Sequence, residues 1–315
     1  MELHKAQRPT FYFIGVTTSQ SSIMKVFPKW AAHLGLGDTP ITGIDCRQHD
    51  DPAVYRRIVE FLKQDELSLG GLVTTHKIDL LNAAGDLFDE LDEHARLLGE
   101  ISCISKRGRK LRGHAKDPIT SGLGMEAFVP AGYWRRSGAE VCILGAGGSS
   151  LALTTYLMTV RDPRDRPSRI VVTNRSPGRL ESMKQVHRQI NPGIPVEYVL
   201  CPRPQENDCA VNALRAGSMV VNATGLGKDA PGSPITSAAR FPEGGFAWEF
   251  NYRGRLVFLD QASAQRNSRG LTVEGGWIYF IHGWMQVIAE VFDIDIPTGG
   301  PEFDTLSRIA AGARK

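Results

Sequence analysis

Residues 145–150 read GAGGSS, between the apolar run EVCIL and the helical stretch LALTTYLMTV. A glycine turn that ends a strand and opens a helix can cradle phosphate oxygens, because free backbone N–H groups and the helix dipole favour an anion there. Gly145 would permit the tight turn, Ala146 follows it, and Gly147 would let the backbone approach a pyrophosphate; Gly148 and Ser149 open the helix. The spacing is GxGGxxxA rather than GxGxxG, so a turn needing glycine for geometry alone competes with the cradle. The next strand decides between them. An NAD site ends that strand with an acid for the ribose 2′-hydroxyl, whereas VVTNRSPGR offers Asn174, Arg175, Ser176 and Arg179. Two guanidiniums and a hydroxyl suit a 2′-phosphate, with Arg175 also able to stack on the adenine. The expected cofactor is NADP.

Elements that position these residues follow from the apolar patterning. TFYFIGVTT reads as a buried strand, SIMKVFPKWAAHLGL as a helix closing on Gly35 and Gly37, and PITGIDC as a second strand. DPAVYRRIVEFLKQDE is an amphipathic helix with Asp51 as N-cap. LGGLVTTHK is a strand running into a loop, helices continue through LFDELDEHARLLG, and EISCISKRGRKLRGHAKD is a hairpin turning at RGRK. After the helix PITSGLGMEAFVPAG come five strand candidates with helical spacers, EVCILGAGG, RIVVTNRS, VEYVLCP, SMVVNATG and FAWEFNY. Beyond GLTVEGG the chain is helical, in WIYFIHGWMQVIAEVF and PEFDTLSRIAAGARK. Alternating strands and helices predict an α/β fold. The expected organisation is an N-terminal α/β substrate domain over residues 1–118 and a doubly wound parallel-sheet (Rossmann) domain over 119–275. C-terminal helices, 276–315, are expected to return to the first domain.

Composition narrows the function class. The 315 residues include 37 basic and 34 acidic side chains, a net charge of +3 that argues against nucleic acid or a membrane surface as partner. The basic runs RRSGAE and RDPRDRPSR read as solvated surface. Cys46, Cys103, Cys142, Cys201 and Cys209 show no CxxC spacing, so neither a disulfide framework nor a metal site is expected, and a reducing cytoplasm is. No apolar run approaches ~20 residues, and MELHKAQRPT lacks a signal peptide's apolar stretch. The expected partner is a small molecule, bound by a monomer or homodimer.

From about residue 13 to 292 the chain resembles the shikimate dehydrogenase family, including its quinate branch. GAGGSSLA is similar to the family's GAGGAxxA turn and NRSPGR to its NRTxxR clamp. VVNATGLG resembles its NATxxG strand end, which implies Asn222, Ala223, Thr224 and Gly227 near the nicotinamide. SQS stands where the family has SxS, implying Ser19 and Ser21 as carboxylate donors; THK stands for PHK, implying Lys77; LRGHAKD stands for GxNTD, implying Asp117. The resemblance implies a secondary alcohol–ketone oxidoreductase of aromatic amino acid biosynthesis. Such chemistry needs a proton acceptor beside the hydroxyl and a hydride acceptor opposite it. Lys77 and Asp117 would serve as one coupled titrating pair across the cleft between the domains.

Departures gather on the substrate side. Ser102 stands for an asparagine, Ala115 and Lys116 for Asn-Thr, Thr120 for a glycine and Ser22 for a proline, while Thr74 takes the threonine of NVT only by a one-residue shift. His282 stands where a substrate-binding glutamine is expected, with Gln286 four residues on along the same helix face, and Tyr252 keeps the family's tyrosine. An interior histidine packed among Trp277, Phe280 and Trp284 is the competing reading of His282. Ser19 and Ser21 would point the same way in an extended loop, or cap the following helix. Lost amide partners leave open a reductase of a different small carbonyl compound, or a dinucleotide-binding protein without catalysis.

Overall fold

The computed structural model describes residues 3–159, 162–190, 193–228 and 230–314; Arg161, at the head of the run RDPRDRPSR, lies outside them. The chain divides into two compact units, Met1–Lys116 with Gly283–Lys315, and Asp117–His282. These divisions fall at 116/117 and 282/283, because Asp117 opens a helix of the second unit and the long helix Trp277–Phe292 runs through the other division.

In the first unit the strands are β1 (Thr10–Gly15), β2 (Ile41–Asp45), β3 (Ser68–Val73), β4 (Glu90–Leu91), β5 (Cys103–Arg107) and β6 (Lys110–His114), and the helices are α1 (Ile23–His33), α2 (Pro52–Gln64), α3 (Lys77–Ala84) and α4 (Glu93–Leu98). The sheet order is β2-β1-β3-β5-β6-β4, with β1 parallel to both neighbours and β5–β6 forming the antiparallel hairpin. Every residue of β1 is buried, as a strand covered on both faces requires. Successive side chains alternate: Tyr12 and Ile14 join Ile58, Val59 and Leu62 of α2, while Phe11 and Phe13 meet Trp284 edge-on. Asp51 caps α2 by accepting from the Ala53 N–H at 2.8 Å.

The second unit holds α5 (Asp117–Glu126), α6 (Tyr133–Ser137), α7 (Gly148–Thr159), α8 (Pro177–Ile190), α9 (Pro204–Asn212) and α10 (Val257–Arg269), with β7 (Val141–Leu144), β8 (Ile170–Asn174), β9 (Val196–Leu200), β10 (Met219–Asn222), β11 (Phe246–Glu249) and β12 (Thr272–Glu274). All pairs in its sheet are parallel, in the order β12-β11-β10-β7-β8-β9. Val141 and Ile143 face Leu153, Leu157 and Leu180 on one side; Cys142 and Leu144 face Val211 and Phe258 on the other. This is the doubly wound sheet that the strand pattern predicts, with β12 as a sixth strand whose three residues are too few to alternate visibly.

α11 (Trp277–Phe292) and α12 (Pro301–Arg314) complete the chain. No helix among the described residues is long and apolar enough to cross a membrane. α12 docks on α1, where the fully buried Trp30 donates its Nε1–H to the Leu306 carbonyl at 2.8 Å. Trp30→Phe removes that bond and opens a void, an expected cost of about 2–4 kcal/mol in urea unfolding; an unchanged midpoint would show that α12 does not stabilise this unit.

Candidate active site

Parallel strands collect functional loops at their C-terminal ends, and in the first unit four segments singled out in the sequence end up at one end of the sheet. β1 and β3 run side by side, with Ile14 opposite Val73. The loop after β1 carries Ser19 and Ser21, and the loop after β3 carries Thr74 and leads into Lys77, the first residue of α3. Cys103 of the antiparallel β5 lies opposite both Leu72 and His114, which brings Ser102 and the segment leading to Lys116 to the same end. Asp117 follows in the chain as the first residue of α5.

Ser19 does not lie in an extended loop: residues Thr18–Gln20 form a single 3-10 turn. The Thr18 N–H anchors it on Asp45 Oδ1 at 2.8 Å. Ser19 is exposed while Ser21 is buried, so the shared direction expected from alternation is lost. Neither hydroxyl caps α1, whose N-cap is Ser22, without a side-chain hydrogen bond.

The turn before Lys77 is built under strain. Thr75 has φ +64°, a left-handed conformation that a β-branched residue rarely adopts and that costs on the order of 1–3 kcal/mol. The Thr74 N–H bonds the Ile14 carbonyl at 3.0 Å, and the His76 N–H turns back to the Thr74 carbonyl at 2.6 Å. His76 is fully buried with Nδ1 3.1 Å from the Tyr55 hydroxyl; burial pushes its pKa down, so the ring is neutral at pH 7. Lys77 thus leaves a tightly held turn.

The Ser102 hydroxyl is engaged by the backbone beside it. The residue is 2% exposed, and its Oγ accepts the Lys116 N–H at 2.8 Å. Ala115 is fully buried. The Lys116 ammonium reaches Glu290 Oε2 at 2.7 Å; burial pushes the Glu290 carboxyl up, but this bond together with the charges of His114, Lys116 and Arg107 holds it below the usual carboxylate range.

In the second unit the glycine turn closes as the sequence suggests. Gly145 has φ +109°, and a Cβ there would stand 3.0 Å from the Ala223 carbonyl oxygen. The Gly147 backbone borders open space. Gly148 and Ser149 form the first turn of α7. Beside them lies a cleft of about 610 Å³ lined by Gly145, Ala146, Gly147, Asn174, Arg175, Ser176, Arg179, Ala223 and Thr224. It sits where β7 and β10 adjoin, the place at which the strand order of such sheets reverses. Arg175 and Arg179 are exposed, and neither forms an ion pair among the described residues. Sequence reasoning missed Cys201, Arg203 and Asn207 on the cleft's far wall. Their signal was topological: the loop after the third strand of the unit must border the same cleft.

Asn222 and Gly227 frame the cleft without lining it. Asn222 is fully buried, donating Nδ2–H to Glu249 Oε2 at 2.6 Å and accepting on Oδ1 from the Thr224 N–H (3.0 Å) and hydroxyl (2.7 Å). Gly227 has φ +94°. Tyr252 is half-buried, its ring 4.6 Å from that of Phe280. His282 is 2% exposed, and burial drops its pKa to about 4, so it is neutral at pH 7; Gln286, one turn on along α11, is half-buried.

No family model matches the chain. A curated relative, shikimate dehydrogenase (NADP(+)) of Streptococcus gordonii, is 29% identical over 164 residues, 52% of this chain and 53% of the relative. The match therefore spans about half the length of that relative. Among solved structures, quinate dehydrogenase of Corynebacterium glutamicum in complex with NAD superimposes with TM-score 0.73 at 19% identity, over 97% of this chain and 99% of that one. Shikimate 5-dehydrogenase of Thermus thermophilus in complex with NADP(H) and shikimate gives 0.70 at 19%, over 96% and 99%. The 5-ketofructose reductase of Gluconobacter gives 0.71 at 17%, over 97% and 99%. At these identities the structural likeness is one of fold. The chain is similar in sequence to shikimate dehydrogenase over about half its length, and similar in fold to shikimate and quinate dehydrogenases over nearly all of it.

Proposed function

We propose that this chain is an NADP-dependent oxidoreductase that interconverts a secondary alcohol and a ketone by hydride transfer on a shikimate- or quinate-like cyclic hydroxy acid. One observation carries the reading: a cleft at the switch point of a parallel sheet, bordered by an open glycine backbone and by two guanidiniums that form no ion pair among the described residues. The curated relative named for NADP supports it.

The residues fit that cofactor. Gly145, Ala146, Gly147, Gly148 and Ser149 would hold the pyrophosphate, and Asn174, Arg175, Ser176 and Arg179 the 2′-phosphate. Ala223 and Thr224 would border the nicotinamide end, with Asn222 and Gly227 setting their loop. NADP supplies the hydride acceptor or donor. The protein's task is then proton transfer at the substrate hydroxyl, which we assign to Lys77 and Asp117. Ser19 and Ser21 are proposed for the substrate carboxylate, and Thr74, Ser102, Tyr252, His282 and Gln286 for its ring. A cytoplasmic monomer or homodimer belongs to the same proposal; all five cysteines are free thiols, which suits a reducing compartment.

The second reading, a reductase of another small carbonyl compound, draws on Ser102 and Ala115. The serine hydroxyl already serves Lys116, and the alanine offers no polar group. A missing partner for a buried ring hydroxyl costs about 1–3 kcal/mol, roughly 5–150-fold in affinity. Turnover across ring acids, polyols and open-chain carbonyls separates the readings, and NADPH binding without any turnover would indicate a dinucleotide-binding protein.

Two outcomes follow from the assignment. Lys77→Ala and Asp117→Asn should each lower kcat by about 10²–10⁴-fold while leaving the NADPH Kd within about twofold; full activity in both would remove the pair from the mechanism. Replacing Arg175 and Arg179 by alanine should weaken NADPH by at least about tenfold per residue and NADH far less. Equal losses for both nucleotides would contradict a 2′-phosphate clamp.

A further inference from the structure

A buried acid that the proposed chemistry does not use stands directly behind the nucleotide cleft. Glu249, the last residue of β11, is fully buried. Its Oε2 accepts from Asn222 Nδ2–H at 2.6 Å, and its Oε1 from the Asn251 backbone N–H at 2.8 Å and Asn251 Nδ2–H at 2.7 Å. Both asparagines pass the constraint on to the cleft wall. Asn222 Oδ1 holds Thr224, whose hydroxyl accepts the Leu226 N–H at 3.2 Å. Asn251 Nδ2 also bonds the carbonyls of Thr224 at 3.0 Å and Leu226 at 3.3 Å. Thr224 and Leu226 line the cleft. One carboxylate therefore sets the shape of the loop from Ala223 to Gly227.

We propose that Glu249 is a positioning residue for nucleotide binding, and that its ionised form holds the cleft wall in the binding-competent shape. This rests on the nucleotide reading above and names a pH control of that same site. Three donors converge on the two oxygens, an arrangement that a carboxylate satisfies as acceptor alone. A protonated Glu249 would carry a donor facing the amide groups of Asn222 and Asn251, and one of these bonds would have to break. Burial works against the charge and pushes the pKa of Glu249 up to about 7, the asparagine bonds opposing it. The groups facing it are Asn222 on β10 and Asn251 after its own strand; no charged side chain contributes to its shift. Glu274, on the adjoining β12, is raised by its own burial and has Arg266 as counter-charge. The balance therefore tips near neutral pH. As pH falls through about 7, Glu249 takes up a proton and the competent fraction shrinks.

The test is NADPH titration of the intact protein from pH 8 to pH 6, with Glu249→Gln in parallel. If only the ionised form is competent, the apparent Kd rises about tenfold between those limits. In Glu249→Gln, which has no ionised form, binding should already be more than about tenfold weaker at pH 8 and should not respond further, beyond the nucleotide's own 2′-phosphate titration, which cancels in the ratio of the two proteins. A ratio constant with pH overturns the proposal while leaving the cleft assignment intact. No binding of NADPH or NADH at any pH removes the nucleotide reading and this one together. Should the variant fail to fold, calorimetry of the wild-type protein at pH 6.5 decides. In buffers of different ionisation enthalpy, nucleotide binding must release more protons than the 2′-phosphate alone supplies, because binding also selects ionised Glu249; release no greater than the phosphate's, or net uptake, overturns the proposal.

Discussion

Two strands that lie side by side, β7 and β10, send their chains in different directions, and this divergence is the constraint on which the second unit depends. β7 runs through the glycine turn into α7, whereas β10 runs into the Ala223–Gly227 loop. The two exits stay tied by the Ala223 N–H to the Leu144 carbonyl at 3.0 Å, and the turn is tied to the next strand by the Gly145 N–H to the Thr173 carbonyl at 2.8 Å. With a side chain at 145 excluded by the Ala223 carbonyl, the backbone lies bare at the mouth of the sheet. A bare backbone, a helix start and exposed guanidiniums beside them are what an anionic nucleotide requires.

The first unit follows a related logic with different chemistry. Its parallel strands β1 and β3 deliver loops to one end of the sheet, and the antiparallel hairpin returns Ser102 and Lys116 to that end. Rigidity there comes from local commitments: a left-handed Thr75, a buried neutral His76 against Tyr55, and the Lys116–Glu290 ion pair. The ion pair is mostly shielded, its side chains 14% and 22% exposed, and removing one partner would strand the other charge. These features hold the loops without involving a substrate, which explains why residues standing in recognisable positions can carry altered contacts.

Much of this was legible in the sequence. The apolar runs TFYFI and EVCIL, the Asp51 cap and the RGRK turn each express a local rule, and each element formed where the rule placed it. The glycine turn and the two arginines were visible because their signal is chemical type at fixed spacing. What escaped depends on tertiary context. Nothing about a threonine announces positive φ at 75, and the 3-10 turn at Thr18 is set by Asp45, 27 residues away. β4 and β12 have two and three residues, too short for periodicity. Arg203 borders the cleft only because β9 lies beside β8, and Glu249 gains meaning only once Asn222 and Asn251 are seen to converge on it.

A crystal structure grown with saturating NADP decides whether the cleft of the second unit receives a 2′-phosphorylated dinucleotide. The pyrophosphate should lie on the Gly145–Gly148 backbone, with the 2′-phosphate within hydrogen-bond reach of Arg175 and Arg179. Nucleotide bound elsewhere on the chain, or in this cleft with its 2′-phosphate turned away from both arginines, would contradict it.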